Sequence, residues 1–154
     1  MNDRTPTRPG RSRGFTLIEL VVAILIVAIL GTIALSSYLN QSRKSRRTDA
    51  RSAVLDLAGR EERNFSTRNA YSQLQDELGY STVPGTPFPV TVGSGYYSVT
   101  VTVTAAVPGV SLATFSATAT PLGDQLKDTA CTSFTVNQTG AQSATGPGAA
   151  NCWR

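Results

Sequence analysis

The sequence predicts an α+β protein in which one long N-terminal helix packs on a small antiparallel β-sheet. The first sign is an apolar run from Leu20 to Leu35 that contains no charged residue. The second is the absence of proline between Pro9 and Pro84, which allows a long uninterrupted helix. The third is a pair of later segments in which apolar side chains alternate with hydroxyl side chains, the pattern of half-buried strands.

The helix is predicted to extend over roughly 50 residues in two parts. Residues 15–36 are long and apolar enough to cross a membrane, because about 20 apolar residues span the hydrocarbon core. Residues 37–65 are amphipathic and complete the helix. Their apolar side chains recur at roughly helical spacing and comprise Tyr38, Val54, Leu57, Ala58 and Phe65.

Glu19 is the one ionisable side chain between Phe15 and Leu35. A carboxylate at the centre of a bilayer costs roughly 2.5–3.5 kcal/mol, and somewhat less toward an interface. Its position in a first helical turn recovers only about 0.3–1 kcal/mol through the helix dipole. Glu19 is therefore predicted to need a partner of opposite charge.

Residues 66–154 are predicted to form a globular head. The polar stretch 64–80 joins the helix to the sheet, and the prolines and glycines from Pro84 to Gly95 interrupt regular structure. Strands are predicted over 96–104, 113–120 and 133–137, and the first two are joined by a turn at Pro108-Gly109 and pair antiparallel. Their inward-facing residues are Tyr97, Val99, Val101, Val103, Ala113, Phe115, Ala117, Ala119, Phe134 and Val136.

The segment Gly14-Phe15-Thr16-Leu17-Ile18-Glu19, followed by the apolar run, resembles the processing site of type IV prepilins. The resemblance implies the type IV pilin fold and a leader peptide, residues 1–14, that stays in the cytoplasm. It also implies that prepilin peptidase cleaves between Gly14 and Phe15 and methylates the new amino group of Phe15. In that family the carboxylate at the position of Glu19 acts in assembly.

The two cysteines of a translocated head are predicted to form one disulfide, Cys131–Cys152. Such a bond would close a loop of about 20 residues and contribute roughly 3 kcal/mol. In pilins a cysteine-bounded segment of this kind is the exposed, subunit-specific surface. The stretch from Gly123 to Cys131, together with the ending Cys152-Trp153, is most similar to PilE-like minor pilins.

The resemblance implies a minor subunit of a type IV pilus that serves twitching motility, adhesion or DNA uptake. The implied partners are other pilin subunits, prepilin peptidase and the assembly platform of the inner membrane. The implied location is a single pass through the inner membrane before assembly, with the head outside, and an extracellular pilus afterwards. One alternative is a pseudopilin of type II secretion. Another is a secreted disulfide-bonded binding domain, released by ordinary signal cleavage near Ala34-Leu35-Ser36.

Composition excludes several kinds of chemistry. The sequence contains no histidine, which removes histidine bases and histidine metal ligands. It shows no phosphate-binding loop, no paired catalytic carboxylates and no activated nucleophile. We therefore predict no catalytic residue, no metal site, no cofactor and no enzymatic activity.

Charge leaves two questions open. The net charge is +4, but residues 1–14 hold four arginines and one aspartate, so the mature chain is almost neutral. The basic cluster from Arg43 to Arg51 could contact DNA phosphates. We favour instead a solvated helix face near lipid headgroups and later near other subunits, because aromatic side chains for base stacking are scarce there. Asp124 and Asp128 could bind calcium, but two carboxylates are a weak basis, and ordinary loop acids are favoured.

Overall fold

A single helix, α1, runs from Leu17 to Arg68 in the computed structural model, which describes residues 14–154. The predicted leader, apart from Gly14, lies outside the described residues. The helix contains 52 residues, which confirms the predicted length. It ends beyond the predicted boundary at 65, where Asn69 adopts a positive φ of 55° and its N–H donates to the Phe65 carbonyl at 2.8 Å. Asparagine tolerates this left-handed conformation, which stops a helix.

The chain divides into two compact units, Met1–Tyr38 and Leu39–Arg154. We call the first the N-terminal unit and the second the head unit. In the N-terminal unit the apolar side chains of the helix are exposed, from 43% for Val21 to 83% for Leu17. This is the one helix of the described chain that is long and apolar enough to cross a membrane.

The head unit contains a five-stranded sheet in which every neighbouring pair is antiparallel and the strands follow chain order. Three of its strands agree with the prediction to within one residue. The five strands are β1 (Val90–Val92), β2 (Tyr97–Thr104), β3 (Thr114–Pro121), β4 (Ser133–Asn137) and β5 (Gln142–Thr145).

The core of the head unit lies between the sheet and the second part of α1. Ala50, Val54 and Leu57 are completely buried and lie on one face of the helix, because their spacing follows the helical repeat. The strand residues that bury themselves against this face alternate along each strand, as predicted. They are Tyr97, Val99 and Val101 of β2, Phe115, Ala117 and Ala119 of β3, and Phe134 and Val136 of β4.

The prediction that regular structure is absent between Pro84 and Gly95 is wrong. The short strand β1 begins directly after Pro89 and pairs Val90 with Val99. A three-residue strand carries too little alternation to be recognised without its partner. Strand β5 was also not predicted, because its residues Gln142–Thr145 are small or polar.

The C-terminal segment is held in shape by a disulfide between Cys131 and Cys152, as predicted. Both cysteines are buried. Trp153 adds a second attachment, because its indole N–H donates to the Ser143 carbonyl at 2.8 Å and its ring meets Phe134 edge-on. A segment rich in small polar residues thus acquires a fixed surface.

Candidate functional site

The N-terminal segment carries the predicted processing and assembly residues. Gly14, Phe15 and Thr16 precede the helix, and the Thr16 hydroxyl caps it by accepting the Glu19 N–H at 3.3 Å. Nothing lies within 4 Å of the position that a Cβ on Gly14 would occupy. A larger residue at position 14 therefore meets no obstacle within the described chain.

Glu19 is exposed in the first turn of α1 and makes no ion pair with any described residue. No lysine or arginine occurs between Phe15 and Gln41 to supply one. The exposed side chains around Glu19 form a continuous apolar surface. A large surface of this kind is typical of a site that contacts a membrane or another protein. Within the chain, Glu19 is thus an acid on an apolar surface with no cationic side chain near it in sequence.

In the head unit, a short 3-10 helix, Gly123–Lys127, and the residue that follows it face the basic part of α1. Arg47 forms two hydrogen bonds of 2.7 Å with the two carboxylate oxygens of Asp128. The side chains are only 13% and 5% exposed. The hydrogen bonds that Arg47 donates to Asp128 raise the pKa of its guanidinium above the ordinary value. This geometry is the strongest form of an arginine–carboxylate pair.

Asp124 lies at the edge of the same arrangement. It is 2.7 Å from Lys127 Nζ, and its distances to Arg43 and Arg46 are longer, 3.6 and 3.8 Å. The Lys127 hydrogen bond, with the charges of Arg43 and Arg46, lowers the pKa of the Asp124 carboxyl. Because Asp124 and Lys127 are partly exposed, their interaction is screened by water and salt.

Gln125 connects these ion pairs to the core. Its side chain is completely buried, and its amide NH₂ donates to the Arg43 carbonyl at 3.0 Å, the Tyr97 hydroxyl at 3.0 Å and Asp128 Oδ2 at 3.3 Å. Two amide hydrogens are therefore shared among three acceptors. The 3-10 helix is thereby joined to both α1 and β2.

This geometry changes two of the sequence-based interpretations. The predicted solvated helix face is wrong for Arg43, Arg46 and Arg47, because these side chains are turned toward Asp124 and Asp128 and are largely covered. Their partners lie about 80 residues later in the chain, and no local sequence pattern indicates them.

Both aspartates are paired with arginine or lysine side chains. The described residues contain no group of three acidic, histidine or cysteine side chains that could hold a metal ion. A calcium site is not supported by this donor set.

A second buried acid, Glu61, lies on the inward face of α1 and is completely covered. Its Oε2 accepts the Ser72 N–H at 3.0 Å, whereas its Oε1 is buried without a hydrogen-bond partner among the described residues. Burial raises the pKa of Glu61 from 4.5 to about 7, and the charges of Glu62 and Glu77 act in the same direction. Glu61 is therefore a pH-sensitive point where α1 meets the loop that follows it.

We predict that Glu61→Gln stabilises the head at about pH 8 by roughly 2–3 kcal/mol and has little effect near pH 4. Below pH 4.5 the carboxyl is protonated in both folded and unfolded chains. As the pH rises from 4.5 to about 7, the unfolded chain loses this proton before the folded chain does, so wild-type stability falls. Denaturant unfolding at both pH values measures the difference, with Asp49→Asn, at an exposed acid of the same helix, as control. An equal gain at both pH values would contradict the explanation.

Comparisons with known proteins agree with this architecture. Residues 36–135 match a family model described as "Type IV minor pilin ComP, DNA uptake sequence receptor". Residues 9–35 match the "Prokaryotic N-terminal methylation motif", which includes Gly14, Phe15 and Glu19.

Two curated relatives are similar over shorter stretches. The type IV major pilin protein PilA of Myxococcus xanthus is 32% identical over 71 residues, which cover 46% of this chain and 32% of that protein. Prepilin peptidase-dependent protein D of Escherichia coli is 54% identical over 39 residues, 25% of this chain and 27% of that protein. The chain thus spans about a third or less of the length of these relatives.

The first family model covers well over half of the 154-residue chain, including most of the sheet and the second part of α1. The methylation motif covers the segment that precedes it. The members of the first family are structural pilins. The chain therefore belongs to the family of type IV minor pilins typified by ComP.

Proposed function

We propose that this chain is a minor subunit of a type IV pilus that takes part in DNA uptake. The observation that carries the proposal is the match of residues 36–135 to a family whose description names a receptor for DNA uptake sequences. The five-stranded head with its disulfide-closed segment supports the pilus over a secreted domain released by ordinary signal cleavage. Twitching motility and adhesion are further roles that the same fibre could serve.

The proposed life cycle assigns a task to each segment. Residues 1–14 are removed as a leader by prepilin peptidase, and Phe15 becomes the N-methylated amino terminus. Residues 15–36 hold the chain in the inner membrane and later form part of the fibre core. Residues 37–65 support the head, 66–154, which faces the periplasm and then the exterior. The similarity to a prepilin peptidase-dependent protein over 39 residues supports the processing step.

The exposed apolar surface of α1 explains why a fibre can form. Leaving it in water is unfavourable by roughly 25 cal/mol for each Å² of apolar area, so the segment must stay in lipid or pack against other subunits. In the proposed fibre, Glu19 of an entering chain pairs with the N-methylated amino group of Phe15 on a chain that is already assembled. Other pilin subunits and the assembly platform of the inner membrane are therefore the proposed partners.

We predict that Gly14→Val blocks processing and leaves an uncut precursor in the membrane. The space around Gly14 is open among the described residues, so the substitution meets no obstacle in this part of the chain, and we expect its effect to arise in the peptidase. Glycine fits a crowded, extended peptide site at the least steric cost. Intact mass of membrane-extracted protein distinguishes precursor from mature chain, with Arg13→Gln as a neighbouring control. Normal processing of Gly14→Val would contradict the prediction.

The DNA-uptake role is tested in cells that carry the gene and in vitro. We expect deletion of the gene to lower transformation by added DNA while leaving a visible fibre, since the subunit is minor. The purified mature chain should bind duplex DNA with an affinity that falls as salt rises, by a slope of about −0.9 for each phosphate contact. Unchanged transformation, together with no DNA binding at low salt, would overturn the role in uptake but not the membership of the pilin family.

A further inference from the structure

A cleft of about 260 Å³ lies in the head unit between the basic part of α1 and the residues that follow the 3-10 helix. We call it the basic cleft. Its polar lining comes from Asn40, Arg43, Lys44 and Arg47 on one side and from Lys127 and Thr129 on the other. The Arg47–Asp128 pair also lines it.

The basic cleft carries more positive charge than its own carboxylate neutralises. Its lining holds four cations, Arg43, Lys44, Arg47 and Lys127, and one carboxylate, Asp128. Lys44 is exposed and makes no ion pair with the described residues, so its ammonium group is free to bind an anion that enters the cleft.

The position of the cleft in the chain indicates the anion. Leu17 to Leu35 measures about 28 Å as a helix, close to the ~30 Å hydrocarbon core. Asn40 follows Leu35 by only five positions, so the chain keeps this lining residue within about 18 Å of the end of the apolar run. The phosphate layer of a bilayer lies within that reach. Duplex DNA is a poorer fit, because a cleft of about 260 Å³ is too small to receive a duplex.

We propose that the basic cleft binds the phosphate of an anionic phospholipid headgroup while the subunit waits in the membrane. This inference rests on the proposed membrane-resident state. Arg43, Lys44 and Lys127 would contact the phosphate, and Arg47 would remain bonded to Asp128. The headgroup would be released when the helix leaves the bilayer for the fibre.

The lysines give this proposal a direct test. Lys44 and Lys127 are the only lysines in the sequence, and both line the basic cleft. An amine-reactive reagent therefore reports on the cleft and on the chain terminus alone. We expect both lysines of the full mature chain to be protected from labelling in phosphatidylglycerol-containing vesicles, compared with pure phosphatidylcholine vesicles. Labelling of the amino terminus serves as the internal standard.

Affinity provides the second measurement. Lys44→Gln/Lys127→Gln should weaken binding of a soluble short-chain phosphatidylglycerol by about 30-fold, roughly fivefold for each lysine near an anionic surface. Asp124 keeps Arg43 and Arg46 as partners in this variant. The matched control, Arg63→Gln/Arg154→Gln, removes two exposed arginines outside the cleft and should bind like the wild type.

Several outcomes would overturn the proposal. They are equal lysine labelling in the two vesicle types, equal affinity for phosphatidylglycerol and phosphatidylcholine, and inorganic phosphate that competes as well as the lipid does. A double variant that loses duplex DNA binding but retains lipid binding would assign the cleft to DNA instead. Alkaline extraction distinguishes failure of the proposed function from failure of this inference. A chain that washes out of membranes contradicts the proposed function. An integral chain without lipid preference contradicts this inference alone.

Discussion

Replacing Asp128 with alanine is expected to destabilise the head by about 3–5 kcal/mol, because it removes one partner of a buried ion pair. Arg47 keeps its charge but loses both 2.7 Å hydrogen bonds, in a position where only 13% of its side chain reaches solvent. Gln125 also loses one of its acceptors. The loss corresponds to a decrease in Tm of roughly 10–20 °C for a unit of this size. Thermal unfolding of the mature chain in detergent, followed by near-ultraviolet circular dichroism, measures it.

The matched control is Asp124→Ala on the same 3-10 helix. Asp124 is partly exposed, and its arginine contacts are longer than 3.5 Å, so its removal should change Tm far less. A double variant, Arg47→Met/Asp128→Leu, should recover most of the lost stability, since apolar groups of similar size can replace a buried ion pair. Equal effects of Asp128→Ala and Asp124→Ala would contradict the importance of burial in this cluster.

The elements that could be predicted from the sequence are those whose pattern repeats along the chain. In β2 and β3, apolar and hydroxyl side chains alternate over eight residues each, and the apolar run of α1 has no interruption. Each of these elements can therefore be predicted from its own local sequence. The disulfide followed from the presence of just two cysteines in a head that is predicted to be translocated. The short strands β1 and β5 depend on a neighbour for their existence, and a local pattern could not indicate them.

The buried charges of the head show two different limits. Arg47 and Asp128 are 81 residues apart, and the fold alone brings them together. Glu61, in contrast, was within reach of sequence analysis. It follows Val54 and Leu57 at helical spacing, so it continues the buried stripe, and only its charge suggested exposure. The segment around Gly14 was recognised because it is a short linear motif, which does not depend on residues distant in the sequence.

The largest effect on function is expected from Glu19→Val, which should accumulate in the membrane yet decrease in sheared pili by tenfold or more. The substitution removes the one acid of the apolar segment, so insertion becomes easier by up to roughly 2.5–3.5 kcal/mol. The proposed cleavage after Gly14 would create the nearest opposite charge, the amino group of Phe15, which would remain basic after methylation. In lipid, attraction between such charges is several times stronger than at a protein surface. Loss of Glu19 should therefore weaken selection of the incoming subunit.

Two matched variants separate this pairing from a mere helix-capping role. Thr16→Ala removes the hydroxyl that accepts the Glu19 N–H and should cost about 1 kcal/mol of local helix stability while leaving incorporation near the wild-type level. Glu19→Asp retains the charge on a shorter side chain and should restore much of the incorporation. Immunoblots of sheared pili and of membranes from the same cells measure both quantities. Wild-type incorporation of Glu19→Val, or an equal loss with Thr16→Ala, would refute the pairing, because in either case the carboxylate charge would not be what admits the subunit to the fibre.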